Sequence, residues 1–307
     1  MKPPAFTLRQ LTYFVTAAKF GKIANAALEV GISQSAITTA ILDLERSLGA
    51  QLFDRHATGV TLTQRGHMFL QHAQNVLGAA EDAQRWPFRL DGSISGSMTL
   101  AVTHVVSGYF LLPLYSKFRG NYPNAEIRLI ERTRAECEAA VRSGEADLAV
   151  LLTSNLEDRD ALDCATLMRS ARQLWVASNS PLLQQKDVSL LEVEPLPYVF
   201  LRIEEGERVI RSHWANYGTG PNVQFRTDAM EAMREWIALG LGVTIVADTV
   251  YRPWSLDGRR IERLPIREGM PPMEIGIAWA RDRDLPAVAT AFRTYLTQTL
   301  NRVDTSL

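Results

Sequence analysis

The chain has 307 residues, 46% of them hydrophobic, and a formal net charge of −1 at pH 7. That length suits two or three domains with real cores, and the near-neutral total carries no overall electrostatic sign of nucleic acid. Two cysteines, Cys137 and Cys164, exclude a disulfide framework and form no metal-ligand pair by spacing.

The first ten residues hold no apolar leader, and no run of about 18 apolar residues occurs, so neither a signal peptide nor a membrane span is expected. The expected location is the cytoplasm, with no membrane partner. Charge is unevenly placed. Residues 1–66 hold Lys2, Arg9, Lys19, Lys22, Arg46, Arg55 and Arg65 against Glu29, Asp43, Glu45 and Asp54, a surplus of +3. The remainder carries −4. A basic head on an acidic body fits a DNA-binding segment joined to a regulatory one, although chance alone produces such a split.

In chain order, Thr7-x-x-Gln10 reads as a capping box opening a helix. Leu11, Phe14, Val15 and Ala18 form its buried stripe, and Gly21 ends it. A second helix covers about Ile23–Val30, with Ala26 and Ala27 for close helix contact and Gly31 at the turn. Ser33 caps a third helix that runs to Leu48 and stops at Gly49. Ile37, Ile41, Leu44 and Leu48 lie on one side of it. Ser35, Thr38 and Thr39 lie on the other, with Gln34 at the N-terminal end. The polar side is either a groove-reading surface or an ordinary solvated face. Leu52-Phe53-Asp54-Arg55 and Gly59-Val60-Thr61-Leu62 then read as a short β wing, and a helix-turn-helix with a wing places one helix in the DNA major groove.

Thr63 or Gln64 opens a long helix to about Trp86, stopped by Pro87. Phe69, Ala73, Val76, Ala80 and Ala83 recur at heptad-like spacing. This seam either pairs with a second copy of the chain or packs on its own body. Asp91–Gly96 is a Gly/Ser-rich hinge. Beyond it strands alternate with helices. Strands are expected at Met98–Thr103, Ala125–Ile130, Asp147–Leu152, Leu174–Ala177, Tyr198–Leu201, Val223–Phe225, Val243–Val246, Ile261–Leu264 and Met273–Trp279. Helices are expected at Tyr109–Arg119, Arg134–Ser143, Glu207–Trp214, Ala229–Leu239 and Leu285–Leu300. This is an α/β pattern with parallel sheets, in which ligands bind at the carboxyl ends of strands.

The ordered strings Arg9-Gln10-Leu11, Phe14, Ala26-Ala27, Ser33-Gln34, Leu44-Glu45, Leu48-Gly49, Leu52-Phe53, Arg55, Leu62-Thr63 and Gly66 resemble the head of LysR-type transcriptional regulators. The body matches through Leu111-Leu112-Pro113, Phe118, Tyr122-Pro123, Gly144–Leu148 and Gly240–Val243. The resemblance implies an N-terminal winged helix-turn-helix (1–63), a linker and dimerisation helix (64–90), and a two-lobed effector domain of the type II periplasmic-binding-protein class (91–307). Lobe one would hold about 97–160 and 269–301, and lobe two about 161–268. It also implies promoter DNA as partner, a dimer or a tetramer as assembly, and DNA bending set by a small-molecule effector. RNA polymerase is a further candidate partner, and no cofactor is implied.

For DNA, the candidate contacts are Arg9, Gln34, Ser35, Thr38, Thr39, Arg55 and the wing residue Thr58. The sequence departs from relatives at Ser35, where proline is frequent, and at Thr38 and Thr39, where a Ser-Arg pair is frequent. It departs also at Lys22, where serine is frequent, and at Thr58, where arginine is frequent. For pairing, the candidates are Phe69, Ala73, Val76 and Ala80. For the effector they are Thr103, His104, Thr133, Thr153, Arg202, Glu204 and Val246, at strand ends facing the cleft. Thr133 either receives an anion at a helix N-terminus or only caps that helix. His104 is a ligand contact or a satisfied surface histidine, and Arg202 faces the ligand or pairs with Glu204 or Glu205. Both signs of charge are present, which suits a small carboxylate, an amino acid or an amine.

The enzyme reading finds little support. No Gly-x-Ser-x-Gly string occurs, and Gly240-Leu241-Gly242 and Gly218-Thr219-Gly220 each lack the third glycine of a dinucleotide fingerprint. His67 and His72 point to different helix faces, so no metal site is expected. Two alternatives stay open: a solute-binding receptor in the cytosol, and a repressor whose cleft takes no effector.

Overall fold

The structure, a computed structural model, describes residues 5–56, 59–85, 94–204 and 206–304. Thr58, the Pro87 stop, the first half of the hinge, Glu205 and the side chain of Ala83 lie outside the described residues. Two compact units, Met1–Leu90 and Asp91–Leu307, are each described by themselves.

In the first unit, α1 (Leu8–Phe20), α2 (Ile23–Glu29) and α3 (Gln34–Leu48) precede a hairpin of β1 (Phe53–His56) and β2 (Gly59–Leu62), and α4 (Gln64–Arg85) follows. The Thr7–Gln10 capping box is formed, and Ser33 caps α3 through the Ala36 N–H. Gly21 and Gly49 end α1 and α3 in the left-handed region that glycine enters without penalty. The α1 stripe is rotated from expectation. Leu11, Phe14 and Ala17 are buried, while Val15 and Ala18 are half-buried, because α4 covers the Ala17 side. Ile37, Ile41 and Leu44 of α3 complete this core with Phe53.

Two contacts fix the wing to the helices. The Glu45 carboxylate on α3 accepts the N–H groups of Leu52 (2.7 Å) and Phe53 (3.1 Å), where the chain enters β1. At the other end the Val60 N–H donates to the Gly21 carbonyl at 2.8 Å. A Cβ on Gly59 would stand 2.2 Å from that carbonyl oxygen, so only glycine allows this approach.

The second unit has two lobes. Lobe one holds a five-stranded sheet in the order β4-β3-β5-β12-β6: β3 (Gly96–Val102), β4 (Ala125–Glu131), β5 (Leu148–Leu152), β6 (Leu162–Ser170) and β12 (Met273–Ala280). Its helices are α5 (His104–Val106), a π turn at Ser107–Leu111, α6 (Leu112–Asn121), α7 (Arg134–Ser143) and α11 (Ala287–Asp304). Lobe two holds β7 (Arg172–Ala177) between β10 (Thr244–Ala247) and β11 (Ile261–Leu264), and a parallel pair of β8 (Pro197–Leu201) and β9 (Asn222–Thr227). A parallel bridge from Tyr198 to Val243 joins the two groups. Short α8 (Leu190–Val193), α9 (Gly206–Ala215) and α10 (Met230–Ala238) complete it.

Three expectations are corrected. Residues 162–170 are not lobe two. They form β6, paired along its length with β12, so lobe one runs on to Ser170. The sheets are mixed rather than parallel: β12 is antiparallel to β5 and β6, and β7 to β10 and β11. The helix expected from Tyr109 starts five residues earlier, at His104, and passes through the π turn.

Glu45→Ala leaves two entering N–H groups without their carboxylate, so the head should lose about 1–3 kcal/mol. Urea unfolding of residues 1–90 within the full chain, followed by hydrogen exchange, checks this; an unchanged midpoint contradicts it.

Candidate functional site

Two surfaces qualify, one on each unit. On the head, Ser35 and Thr39 are exposed on the face of α3 away from the buried Ile37, Ile41 and Leu44, and Gln34 is exposed at its N-terminal end. Thr38 is half-buried, and its hydroxyl donates to the Gln34 carbonyl at 2.7 Å. It therefore has acceptor capacity and a methyl to offer, but no free donor. The Ser35 hydroxyl lies 3.0 Å from that of the cap Ser33. Arg9 and Arg55 are exposed and have no ion pair among the described residues. Lys22 sits at the N-cap of α2 and makes no side-chain cap there.

The expected pairing seam on α4 divides. Ala73 is 1% exposed and Phe69 packs on Phe14 (5.4 Å between ring centroids) and Phe6, so both are occupied within the head. Val76 (41%) and Met68 (65%) remain exposed, and Ala80 is half-buried. The heptad reading could not see this division, because α1 takes one flank of the same narrow stripe.

On the second unit, the lobes meet around a cleft with an outer and an inner chamber. The outer chamber, about 710 Å³, is lined by Thr103, His104, Glu131, Thr133 and Glu136 of lobe one and by Arg202, Glu204 and Asp228 of lobe two, among others. Five of the seven expected effector residues thus come together: Thr103, His104, Thr133, Arg202 and Glu204. Val246 lines the inner chamber instead. Thr153 lines neither. Its methyl would lie 2.4 Å from a Cβ on Gly276, and its hydroxyl reaches the Glu274 carbonyl, so it packs against the sheet.

Most polar groups of the outer chamber already have partners. Glu131 accepts from the His104 ring (3.0 Å) and the Ser107 hydroxyl (2.7 Å), and these bonds hold its carboxyl below the ordinary range. The α7 N-terminus, expected to attract an anion, holds its own: Glu136 accepts the Thr133 N–H at 2.9 Å and hydroxyl at 2.8 Å. Thr133 is thus a capping residue. Arg202 pairs with Asp228 at 2.8 Å, rather than with Glu204 or Glu205. Thr103 differs. It is 1% exposed, and its hydroxyl has no hydrogen-bond partner. Buried hydroxyls without a partner are uncommon in folded proteins.

Several contacts fasten the lobes across the cleft, among them those of Glu204 and Tyr109. Glu204, with a left-handed backbone (φ 52°), accepts the Val105 N–H at 2.8 Å, and its carbonyl accepts from the Asn155 side chain at 2.9 Å. Tyr109, presented by the π turn, lies between Arg234 and Arg252, with guanidinium-to-ring distances of 5.5 and 5.3 Å. The Tyr109 hydroxyl also accepts from Arg234 at 3.0 Å. Cation–π contacts of this kind are worth about 1–2 kcal/mol when partly desolvated. Arg172, Tyr109, Arg234 and Arg252 were not singled out from the sequence, since no motif marks them and their roles arise from lobe contact.

A three-helix head with a wing, followed by a two-lobed α/β unit, defines a transcription regulator with a DNA-binding domain and a substrate-binding domain. Residues 8–67 match the bacterial regulatory helix-turn-helix model of the lysR family, and residues 91–301 match the LysR substrate binding domain. The chain belongs to the LysR family of DNA-binding transcriptional regulators. It is 25% identical over 288 residues to the uncharacterized HTH-type transcriptional regulator YybE of Bacillus subtilis, covering 94% of this chain and 97% of that one. With CysB of Burkholderia cenocepacia it shares 26% over 241 residues, 78% and 77% of the two chains. Among solved structures, HinK, a LysR family transcriptional regulator from Pseudomonas aeruginosa, superposes with a TM-score of 0.64 at 26% identity over 97% and 99%. CbnR complexed with its target DNA shares the fold, with a TM-score of 0.53 at 21% identity over 96% and 100%. No helix among the described residues is long and apolar enough to cross a membrane.

Glu204→Ala removes the acceptor at Val105. Amide exchange at Val105, read by hydrogen–deuterium mass spectrometry, should accelerate about tenfold, as loss of one charge-assisted bond implies. Unchanged protection would show that the fastening is not formed in solution.

Proposed function

We propose that the protein reads promoter DNA through α3 and adjusts its grip on that DNA when a small molecule binds between the lobes of the second unit. The observation that carries the DNA half is the division of α3. Its apolar side is consumed by the head's core, which leaves Gln34, Ser35 and Thr39 presented together at its N-terminal half. A glutamine there suits bidentate pairing with adenine, and a threonine methyl suits a thymine methyl. Arg9 and Arg55, exposed and without an ion pair among the described residues, would neutralise phosphates, with Thr58 as a further candidate backbone contact. Phosphate contacts set the docking and base contacts set the preference.

Pairing of two chains uses the edge of α4 that carries Met68, Val76 and Ala80, not Phe69 or Ala73. Two heads then read two half-sites, and a dimer of such dimers would bend the DNA between its sites. The observation that carries the effector half is the orphaned Thr103 hydroxyl in a chamber walled by both lobes. A ligand that touches both lobes favours one lobe arrangement by its differential affinity for it. That arrangement is what DNA spacing and polymerase contact would read.

Discrimination between a fragment selected by the protein from a random pool and unselected DNA tests the reading. Gln34→Ala should narrow the affinity ratio by about 1–3 kcal/mol, and Arg55→Ala should weaken both affinities alike and flatten the salt dependence. Equal discrimination by Gln34→Ala and the parent contradicts the placement of α3.

A further inference from the structure

The inner chamber has a different chemistry from the outer one. Its enclosed space is about 60 Å³, walled mainly by apolar groups that include Phe200, Ile203, Val246 and Met273. A water claims roughly 10–15 Å³ by this measure, so the space takes about four to six heavy atoms without rearrangement. Ile203 and Glu204 border both chambers and form the partition between them.

Two charged side chains line this chamber, Arg172 and Glu204; the Glu204 carboxylate accepts from the Val105 N–H, and no ion pair joins it to Arg172 among the described residues. Arg172 opens β7, two residues after β6 ends, where the chain first crosses from lobe one to lobe two. Its guanidinium donates to the carbonyl of Pro271, which lies on the return crossing. No carboxylate stands within ion-pair distance of it among the described residues. Among the other arginines along the cleft, Arg132 has Glu145 (3.7 Å), Arg134 has Glu138 (2.6 Å) and Arg202 has Asp228 (2.8 Å), while Arg252 is held by the Tyr109 ring and by the carbonyls of Thr249 and Tyr251. Burial pulls the Arg172 pKa down by taking the cation out of water. A guanidinium in an apolar wall is costly unless an anion joins it.

The other candidate anion positions are taken. Glu136 occupies the α7 N-terminus, and Glu204 occupies the Val105 N–H. The outer chamber, rich in carboxylates, is a poor place for a second anion.

Resting on the interlobe reading above, we propose that the effector is a small monoanion with a short apolar tail, its acid group bound bidentately by Arg172 and its tail filling the inner chamber beside Val246. An amine or an uncharged polar compound would leave the guanidinium uncompensated and is excluded by the same argument. Because Arg172 touches both crossings, through its own position and through Pro271, its ligand acts at the hinge of the two lobes.

Isothermal titration and thermal shift of the full chain with butanoate, pentanoate, butylamine and 1-butanol test this. The two carboxylates should bind and raise Tm, while butylamine and butanol should not. Arg172→Met should weaken carboxylate binding at least tenfold, and Arg172→Lys should retain part of it. Val246→Trp, which fills the chamber and leaves Arg172 in place, should abolish it as well. Carboxylate binding that survives Arg172→Met unchanged overturns the proposal. So does a series in which no carboxylate binds. If butanol or butylamine binds instead and Val246→Trp abolishes that binding, the anion proposal falls while the interlobe site stands. If the parent binds a carboxylate as tightly as Val246→Trp does, the interlobe placement itself falls.

Discussion

The carboxylate of Glu45 is the constraint on which the DNA-reading half depends. It leaves α3 near its C-terminal end and takes the two N–H groups at the entrance to β1. A base-reading helix must be held firmly, since a small tilt moves side chains past the base edges they address. Hydrophobic packing through Ile37, Ile41 and Leu44 supplies most of the energy that holds α3, but it is not directional. The Glu45 bonds are directional, and they link helix to wing at one end. The contact of Val60 with the Gly21 carbonyl, which the bare Gly59 permits, links wing to helices at the other. The wing is thereby tied to the helices at both of its ends.

The second unit is built on the opposite principle. Its lobes are joined by two short crossings, at Ala171 and in the stretch that contains Pro271, and are fastened by contacts that can break. Glu204 on the Val105 N–H and Tyr109 between two arginines are polar or cation–π contacts in a partly wet cleft, each worth little beside the apolar cores of the lobes. Such fastenings suit a unit with two arrangements of similar free energy. Under the proposed function, a ligand would have to supply only a differential of a few kcal/mol to select one of them. The left-handed backbone of Glu204 costs about 1–3 kcal/mol. Its bonds to Val105 and Asn155 help to hold it, so losing them also releases strain.

What the sequence made legible follows from locality. The caps at Thr7 and Ser33, the stops at Gly21 and Gly49, and the apolar face of α3 depend on neighbours within a few residues, and each was read at its place. The mixed character of the sheets was not legible, because an antiparallel β12 and a parallel β3 bear the same apolar run. β6 was missed for a related reason: Leu162–Ser170 carries Asp163, Cys164 and Arg169 on an edge strand, so it looks like a connection until β12 pairs with it. In the cleft, strand-end logic singled out Thr103, His104, Arg202 and Glu204, and the structure brings these four to one chamber. It left Thr133 and Arg202 with two readings each; Thr133 caps its helix with Glu136, and Arg202 pairs with Asp228 rather than with Glu204 or Glu205, while Arg172 carried no signal at all. An unpaired charge is a property of everything around a residue, and no string of letters marks it.

The account stands on α3 lying in the major groove. Dimethyl sulfate protection on a selected fragment measures this directly, because guanine N7 is exposed there and adenine N3 in the minor groove. With the full chain bound, guanine N7 should be protected in two symmetry-related half-sites while adenine N3 within them stays reactive. Protection confined to adenine N3, or none at either atom in a complex that withstands moderate salt, would contradict it.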